Sequence, residues 1–363
     1  MQHNNPGAGG VVMQKISISR LKPGMKLAED VFASDGRILL LKGFVIKPRY
    51  IQRLKAYKVD HVFVEDELVP VRQIDEERIY EDVFCNIKSV MENARLEKPL
   101  DLRTLRETVY ELVRQILNDD TVFMALTGIR DIDNYTFLHS VDVCIYSVIT
   151  AKALHMPFEE IRELAFAAVL HDIGKCRIPL EILNKPGKLT EEEYFIIKNH
   201  AIYGMEITKN TPDLSERIPK IICQHHEKWD GTGYPLGLKS FDIDRMARII
   251  SIADVYDALT ANRVYRKRHM PHEAAEYLMA QTGQHFDPYI LQTFINNIAI
   301  YPENLIVMLN TGEIARVLSS RRGIMSMRPV VSVITRKDGP PILNPYVLDL
   351  QQNPTVFIVD IIS

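Results

Sequence analysis

The sequence predicts a mainly α protein: a helical central domain, preceded by a small α+β domain and followed by a short β appendage. Three observations predict it. Apolar residues recur at helical spacing from about residue 75 to 300. Strand-length apolar runs bounded by turn residues lie before and after that region. Glycine and proline gather in two segments inside it, each directly after a histidine-bearing or carboxylate-bearing segment.

In chain order, residues 1–12 (MQHNNPGAGG and the two that follow) lack the basic start and apolar centre of a signal peptide and read as a flexible leader. Residues 13–74 form the α+β unit: RILLLKGFVI suggests strand, turn and strand, PRYIQRLKAYKV a short helix, and HVFVE a closing strand. Residues 75–132 read as a helical linker or dimerisation region, with periodic runs in YEDVFCNIKSVMENA and LRTLRETVYELVRQIL. Residues 133–300 continue the helical pattern through YTFLHSVDVCIYSVITAKAL, IRELAFAAVL, EEEYFIIKNHAIYGMEI and MARIISIADVYDAL. The segments HDIGKCRIPLEILNKPGKL and DGTGYPLGL interrupt it as shaped loops. In residues 301–363, LIVMLN, TGE and IARVLSS read as a hairpin, and VVSVITR and TVFIVDII as further strands.

Composition narrows the chemistry. The chain has 363 residues, 46% hydrophobic and 25% charged, with a net charge of −3. That balance gives no bulk attraction to a DNA or RNA polymer or to an anionic membrane, so phosphate binding must come from local clusters. No apolar run is long enough to cross a bilayer. The four scattered cysteines make no zinc knuckle or disulfide framework and suit a reducing cytoplasm.

Five of the 11 histidines sit beside apolar helical runs: His139, His171, His200, His225 and His226. Asp172 and Asp254 share that setting. Imidazole nitrogens and carboxylate oxygens converging from several helices are what a divalent cation needs. Seven such groups exceed one site and suit two metals bridged by a carboxylate. Neighbouring helix residues diverge by roughly 100°, so His171 can face one metal while Asp172 spans both. A metal pair suits phosphodiester cleavage, by activating water and polarising a phosphoryl oxygen. No Ser-His-Asp arrangement and no GxGxxG or GxxxxGK[ST] loop competes. Taken singly, His155, His269, His272 and His285 read as ordinary hydrogen-bonded residues. Residue types and spacing thus lead to a metal site, and towards a hydrolase.

Four segments resemble the HD-GYP family: His171 to His200, His225 to Leu238 with its Gly233-Tyr234-Pro235 tripeptide, Ala247 to Arg266, and GQHFDP ending at Pro288. The resemblance covers about residues 133–294. It implies an all-helical catalytic domain of the HD hydrolase superfamily, and a bacterial phosphodiesterase acting on a cyclic dinucleotide. It implies His139, His171, Asp172 and Asp254 around one metal and His200, His225 and His226 around the other, with Asp172 bridging and iron or manganese as the productive ions. Lys175 resembles the lysine that contacts the scissile phosphate, and the resemblance implies Asp172 and Lys175 as the catalytic pair. Asp257, Arg263 and Arg266 join Lys175 as expected substrate contacts. Tyr135 stands where some members carry a glutamate for a third metal, so two divalent ions are expected. Cys176 replaces a more usual apolar residue and reads as a small core filler. The N-terminal unit is similar to a small domain that often precedes HD-GYP and suits ligand sensing or homodimerisation. The Gly-Tyr-Pro loop suits structural support or docking of a signalling protein. The favoured function is cleavage of cyclic di-GMP to linear pGpG, with GMP if a second cut follows; the alternatives are cleavage of cyclic GMP-AMP and a cyclic-dinucleotide receptor with structural metals.

Overall fold

The computed structural model describes residues 13–29, 31–32, 38–40, 46, 50–51, 54–55, 57–65, 72–118, 135–185, 187–209, 211–212, 214–261, 269–319, 323–336 and 341–362. The chain divides into two compact units, residues 1–75 and 76–363.

In the first unit β1 (Met13–Ser17) pairs antiparallel with β4 (His61–Glu65), in register from Met13 opposite Glu65 to Ser17 opposite His61. The strands β2 (Val31–Phe32) and β3 (Ile38–Leu40) form a second antiparallel pair. Alternation puts Val62 and Val64 on one face of β4, where they join Leu27, Ile46 and Leu54 in a separate small core. The expected closing strand is β4. Within the short helix expected over 48–59, Tyr50, Ile51, Leu54 and Lys55 are helical, and residues 48, 49, 52, 53 and 56 lie outside the described residues.

The second unit is helical. Helix α1 (Arg72–Arg95) is followed by α2 (Arg103–Asn118), whose Leu105, Val109, Leu112, Val113 and Ile116 make one apolar stripe. Two helices, α3 (Tyr135–Ala153) and α4 (Phe158–Leu170), buried from Ser140 to Ala151 and from Leu164 to Leu170, form the centre. A run such as LAFAAVL, apolar all round, fits a helix covered on every side. Next come a 3₁₀ turn (Ile173–Arg177), α5 (Leu180–Leu183), α6 (Glu191–Lys198), α7 (His200–Lys209) and α8 (Arg217–Gln224). After the Gly-Tyr-Pro loop, α9 (Arg245–Thr260), α10 (Pro271–Ala280) and α11 (Pro288–Asn297) close the domain.

Three readings of the sequence change here. The segment after His171 contains a 3₁₀ turn and a short helix where a loop was expected. The single helix expected over 191–207 is two, because α6 ends at Asn199. The helical linker and the β appendage are not packed apart from the central domain. Val83, Ile87, Val109 and Ile116 share one continuous core with α3 and α4, and so do Val307, Val317 and Val333.

The C-terminal strands β5 (Ile306–Leu309), β6 (Ile314–Ser319), β7 (Val330–Thr335), β8 (Pro341–Asp349) and β9 (Ile358–Ile361) make one antiparallel sheet, ordered β8-β7-β6-β5-β9. The expected hairpin is β5–β6, with Gly312 at positive φ in its turn.

Candidate metal centre

The seven predicted ligands come together from five places in the chain. His139 projects from α3, His171 and Asp172 from the end of α4, His200 from the start of α7, His225 and His226 from the end of α8, and Asp254 from α9. Donor atoms cluster within 4.8 Å as His139–His171–Asp254, as His200–His225–His226 and as His171–Asp172–His225. Asp172 lies at their junction. Its Oδ2 is 3.4 Å from His171 Nε2 and 3.8 Å from His139 Nε2, and its Oδ1 is 3.5 Å from His200 Nε2.

Helix ends aim three of the imidazoles. The last carbonyls of a helix lack intrahelical partners. His171, His200 and His225 each donate an Nδ1 proton to the carbonyl three residues back, Ala168, Ile197 and Ile222, at 2.7, 2.7 and 2.6 Å. A carbonyl can only accept, so the proton sits on Nδ1 and Nε2 carries the lone pair. His139 Nδ1 faces Asp257 Oδ2 at 2.5 Å with the same result. The chain thus presents bare Nε2 atoms to one another. His200 and His225 Nε2 are 3.2 Å apart, a repulsive lone-pair contact unless a cation or proton lies between them. His171 Nε2 and Asp172 Oδ1 are buried without hydrogen-bond partners. Buried polar atoms demand partners, and these have the chemistry of metal donors with their outer nitrogens already anchored.

The electrostatics agree. Burial pushes His139 and His200 down to about 4, His225 to about 3, and His226 well below its ordinary value. These four are neutral near pH 7, as ligands must be. Burial also lowers His171, but the adjacent Asp172 carboxylate turns its net shift upward. Burial would raise Asp172 and Asp254. Lys175, with Nζ 2.5 Å from Asp172 Oδ2, and the His139 contact to Asp254 hold both well below the usual carboxylate range.

The expected substrate contacts divide. Lys175 is at the rim, its side chain 26% exposed. Asp257 is fully buried against His139, which corrects its reading as a substrate contact: it shares the face of Asp254 on α9, but that face points inward. Arg263 and Arg266 lie outside the described residues, as does the Tyr135 side chain. Cys176 is buried, as a core filler would be.

Three features were not read from the sequence. Gly174 lets the 3₁₀ turn touch α7: a Cβ there would stand 1.9 Å from the His200 carbonyl oxygen. Glu227 is buried and accepts from the backbone N–H groups of Leu236 and Leu238 at 2.6 and 3.0 Å, bracing the Gly-Tyr-Pro loop from within. Tyr80 of α1 donates to the buried Asp142 of α3 at 2.8 Å, one turn after His139. Only the acidic residue next to the double histidine offered a sequence signal, and its partners are backbone atoms that no motif displays.

Known proteins resemble this chain along most of its length. Residues 111–290 match the HD domain model, and residues 306–363 match the KOW domain associated with HD domain. Cyclic di-GMP phosphodiesterase PA4108 of Pseudomonas aeruginosa is 33% identical over 273 residues, covering 74% of this chain and 66% of its own length. Cyclic di-GMP phosphodiesterase PdeB of Borreliella burgdorferi is 30% identical over 293 residues, covering 80% of this chain and 77% of its own. The chain thus spans just under two thirds of the first relative and over three quarters of the second. The solved structure of Bd1817, an HD-GYP-type protein from Bdellovibrio bacteriovorus, shares the fold at a TM-score of 0.54 with 22% identity, over 78% of this chain and 98% of that one. With its HD and GYP segments in order on this helical scaffold, the chain belongs to the HD-GYP family of HD-domain proteins.

Proposed function

We propose that the protein is a metal-dependent phosphodiesterase that hydrolyses cyclic di-GMP to linear pGpG, and to GMP where the linear product is cut again. The position of Asp172 carries this reading: its two oxygens face two separate histidine clusters. His139, His171, Asp172 and Asp254 would hold one divalent ion, and His200, His225 and His226 the other, with Asp172 shared. A nitrogen-rich set with few carboxylates suits iron better than magnesium, and the resemblance to the family adds manganese as the other productive ion. When bound, such a pair supplies Lewis acidity towards a phosphoryl oxygen and acidifies coordinated water.

The chain's own groups do the rest. Asp257 and the three backbone carbonyls keep the ring protons away from the centre. Lys175 brings an ammonium to the rim, where it offsets negative charge developing on the phosphoryl oxygens. Arg263 and Arg266 follow where guanidinium forks would grip phosphates. Hydrolysis adds one water across a P–O bond and opens the ring. Four free thiols fit a cytoplasmic location, and no described helix is long and apolar enough to cross a membrane. The exposed Leu236 and Phe241 beside the Gly-Tyr-Pro loop fit docking of a signalling protein there.

Chromatography tests the reading. Metal-loaded protein is mixed with cyclic di-GMP and, separately, cyclic GMP-AMP, beside His171→Ala. Linear dinucleotide from cyclic di-GMP, made by the wild type alone, is the expected result. Product from cyclic GMP-AMP alone would change the substrate. Tight binding without product from either would make the chain a receptor.

A further inference from the structure

The most exposed groups at the centre are His226 and Lys175. Their side chains are 24% and 26% exposed, whereas Asp254 is 12% exposed and His139, His171, Asp172 and His200 are at 4% or below. A ligand reaching the centre passes His226. Outward from it runs a row of flat and cationic groups. The Tyr234 ring lies 4.8 Å from the His226 ring, inclined at 33°. Lys198 Nζ sits 5.6 Å from the Tyr234 centroid and 5.1 Å from that of Tyr194. Tyr194 ends the row half exposed, and burial together with the nearness of Tyr194 raises the Tyr234 phenol above its ordinary value.

An aromatic residue four positions before a lysine is common on helix surfaces. Here the lysine spans two aromatics from different elements, α6 and the Gly-Tyr-Pro loop, and the inner one packs on a residue of the metal centre. The anchoring is firm at the start of α6. Thr190 accepts from the Glu193 N–H, Glu193 accepts from the Thr190 N–H, and Lys185 binds Glu193 at 2.7 Å.

We propose that Tyr194 and Lys198 form a shelf that seats one purine of the dinucleotide substrate, with Tyr194 against the face of the base and Lys198 on an oxygen of the same nucleotide. This rests on the cyclic-dinucleotide reading of the site. A phosphodiester at the centre carries its nucleoside out past His226, where these two side chains offer a π face and a positive charge. Stacking accepts any purine face, so the shelf sets affinity and orientation without choosing between guanine and adenine. Both are positioning residues, because neither reaches the reacting phosphorus.

Steady-state kinetics on metal-loaded protein test the shelf, beside binding of a hydrolysis-resistant phosphorothioate cyclic dinucleotide carrying 2-aminopurine, whose fluorescence falls on stacking. Tyr194→Ala is expected to raise KM about five- to 150-fold with a much smaller fall in kcat, and to abolish the fluorescence loss. Tyr194→Phe restores both, since it keeps the ring. Lys198→Gln raises KM and flattens its salt dependence. Melting temperature and metal content report that each variant folds. Unchanged KM and unchanged quenching in Tyr194→Ala, with the wild type turning over, overturns the shelf and leaves the phosphodiesterase intact. Quenching that needs Tyr194, without hydrolysis by the wild type, upholds the shelf and overturns the phosphodiesterase. No binding of the analogue by the wild type overturns both.

Discussion

Gly174 offers a sharp test of how the two histidine clusters are held together. A Cβ on this residue would lie 1.9 Å from the His200 carbonyl oxygen, 2.5 Å from the Gly204 nitrogen and 2.8 Å from the His200 carbonyl carbon. All three are backbone atoms, so no rotamer change relieves the clash. Ordinary contact begins near 3.4 Å, so Gly174→Ala must part the 3₁₀ turn from α7 by about 1.5 Å, far beyond the roughly 0.2 Å tolerance of metal–ligand distances. The displaced segment carries His200, whose Nε2 is 3.2 Å from His225 and 3.5 Å from Asp172. Overpacking of this kind costs about 1–3 kcal/mol, or a fall in Tm of roughly 2–4 °C per kcal/mol. A misplacement of about 1 Å costs on the order of a hundredfold in rate. Gly204→Ala is the control. Its added methyl meets first the Cγ2 of Ile222, 2.7 Å away, a stiff side chain in the core, so it overpacks the same region without a clash against backbone. The assay is metal content per chain, melting temperature and turnover of the three proteins. Gly174→Ala with wild-type metal content, melting and rate would refute the argument that this backbone contact sets the spacing between the clusters.

Four further outcomes are expected. Stripping divalent ions with a chelator lowers the melting temperature, and manganese restores it in proportion to the logarithm of its concentration, because a ligand bound only by the folded state stabilises by mass action; calorimetry across a manganese series checks this. Glu227→Gln loses one carboxylate oxygen to the loop N–H groups and costs about 1.5–3 kcal/mol, seen as faster hydrogen exchange at Leu236 or Leu238 before any change elsewhere. Tyr80→Phe removes the 2.8 Å hydroxyl donor from buried Asp142 and lowers stability by about 1–3 kcal/mol, read from the urea midpoint. Burial holds His285 down at about 4, below its unfolded value of 6.5. Between those two values the unfolded chain binds the extra proton, so stability is complete above pH 6.5 and falls as pH drops towards 4; His285→Gln should flatten that limb of the urea midpoint against pH, relative to wild type.

The sequence displayed the metal centre more fully than its surroundings, for a physical reason. Ligand identity is written in residue type, and His171-Asp172 and His225-His226 stand beside apolar helices that must be buried. Orientation depends on partners far away along the chain. The spacing of Asp254 and Asp257 correctly implies one shared face of α9, but that Asp257 meets His139, 118 residues earlier, follows only from packing. The break at Asn199 was hidden because apolar periodicity continues across it, although the His200 ring uses the carbonyl of Ile197 at that helix end. Strand β8 escaped because Pro341 and Pro345 argue against a strand, yet the sheet order puts it at the edge, where a missing N–H is tolerated.

The three imidazoles tied to carbonyls at helix ends also limit how such a protein can be altered. At His171, His200 and His225 one ring serves as ligand and as cap, so replacing it with cysteine or aspartate to favour another metal would also leave a helix terminus unfinished. Any retuning of metal preference by evolution or by design meets least resistance one layer out, at Asp257. There the partner of His139 can change while every helix keeps its end.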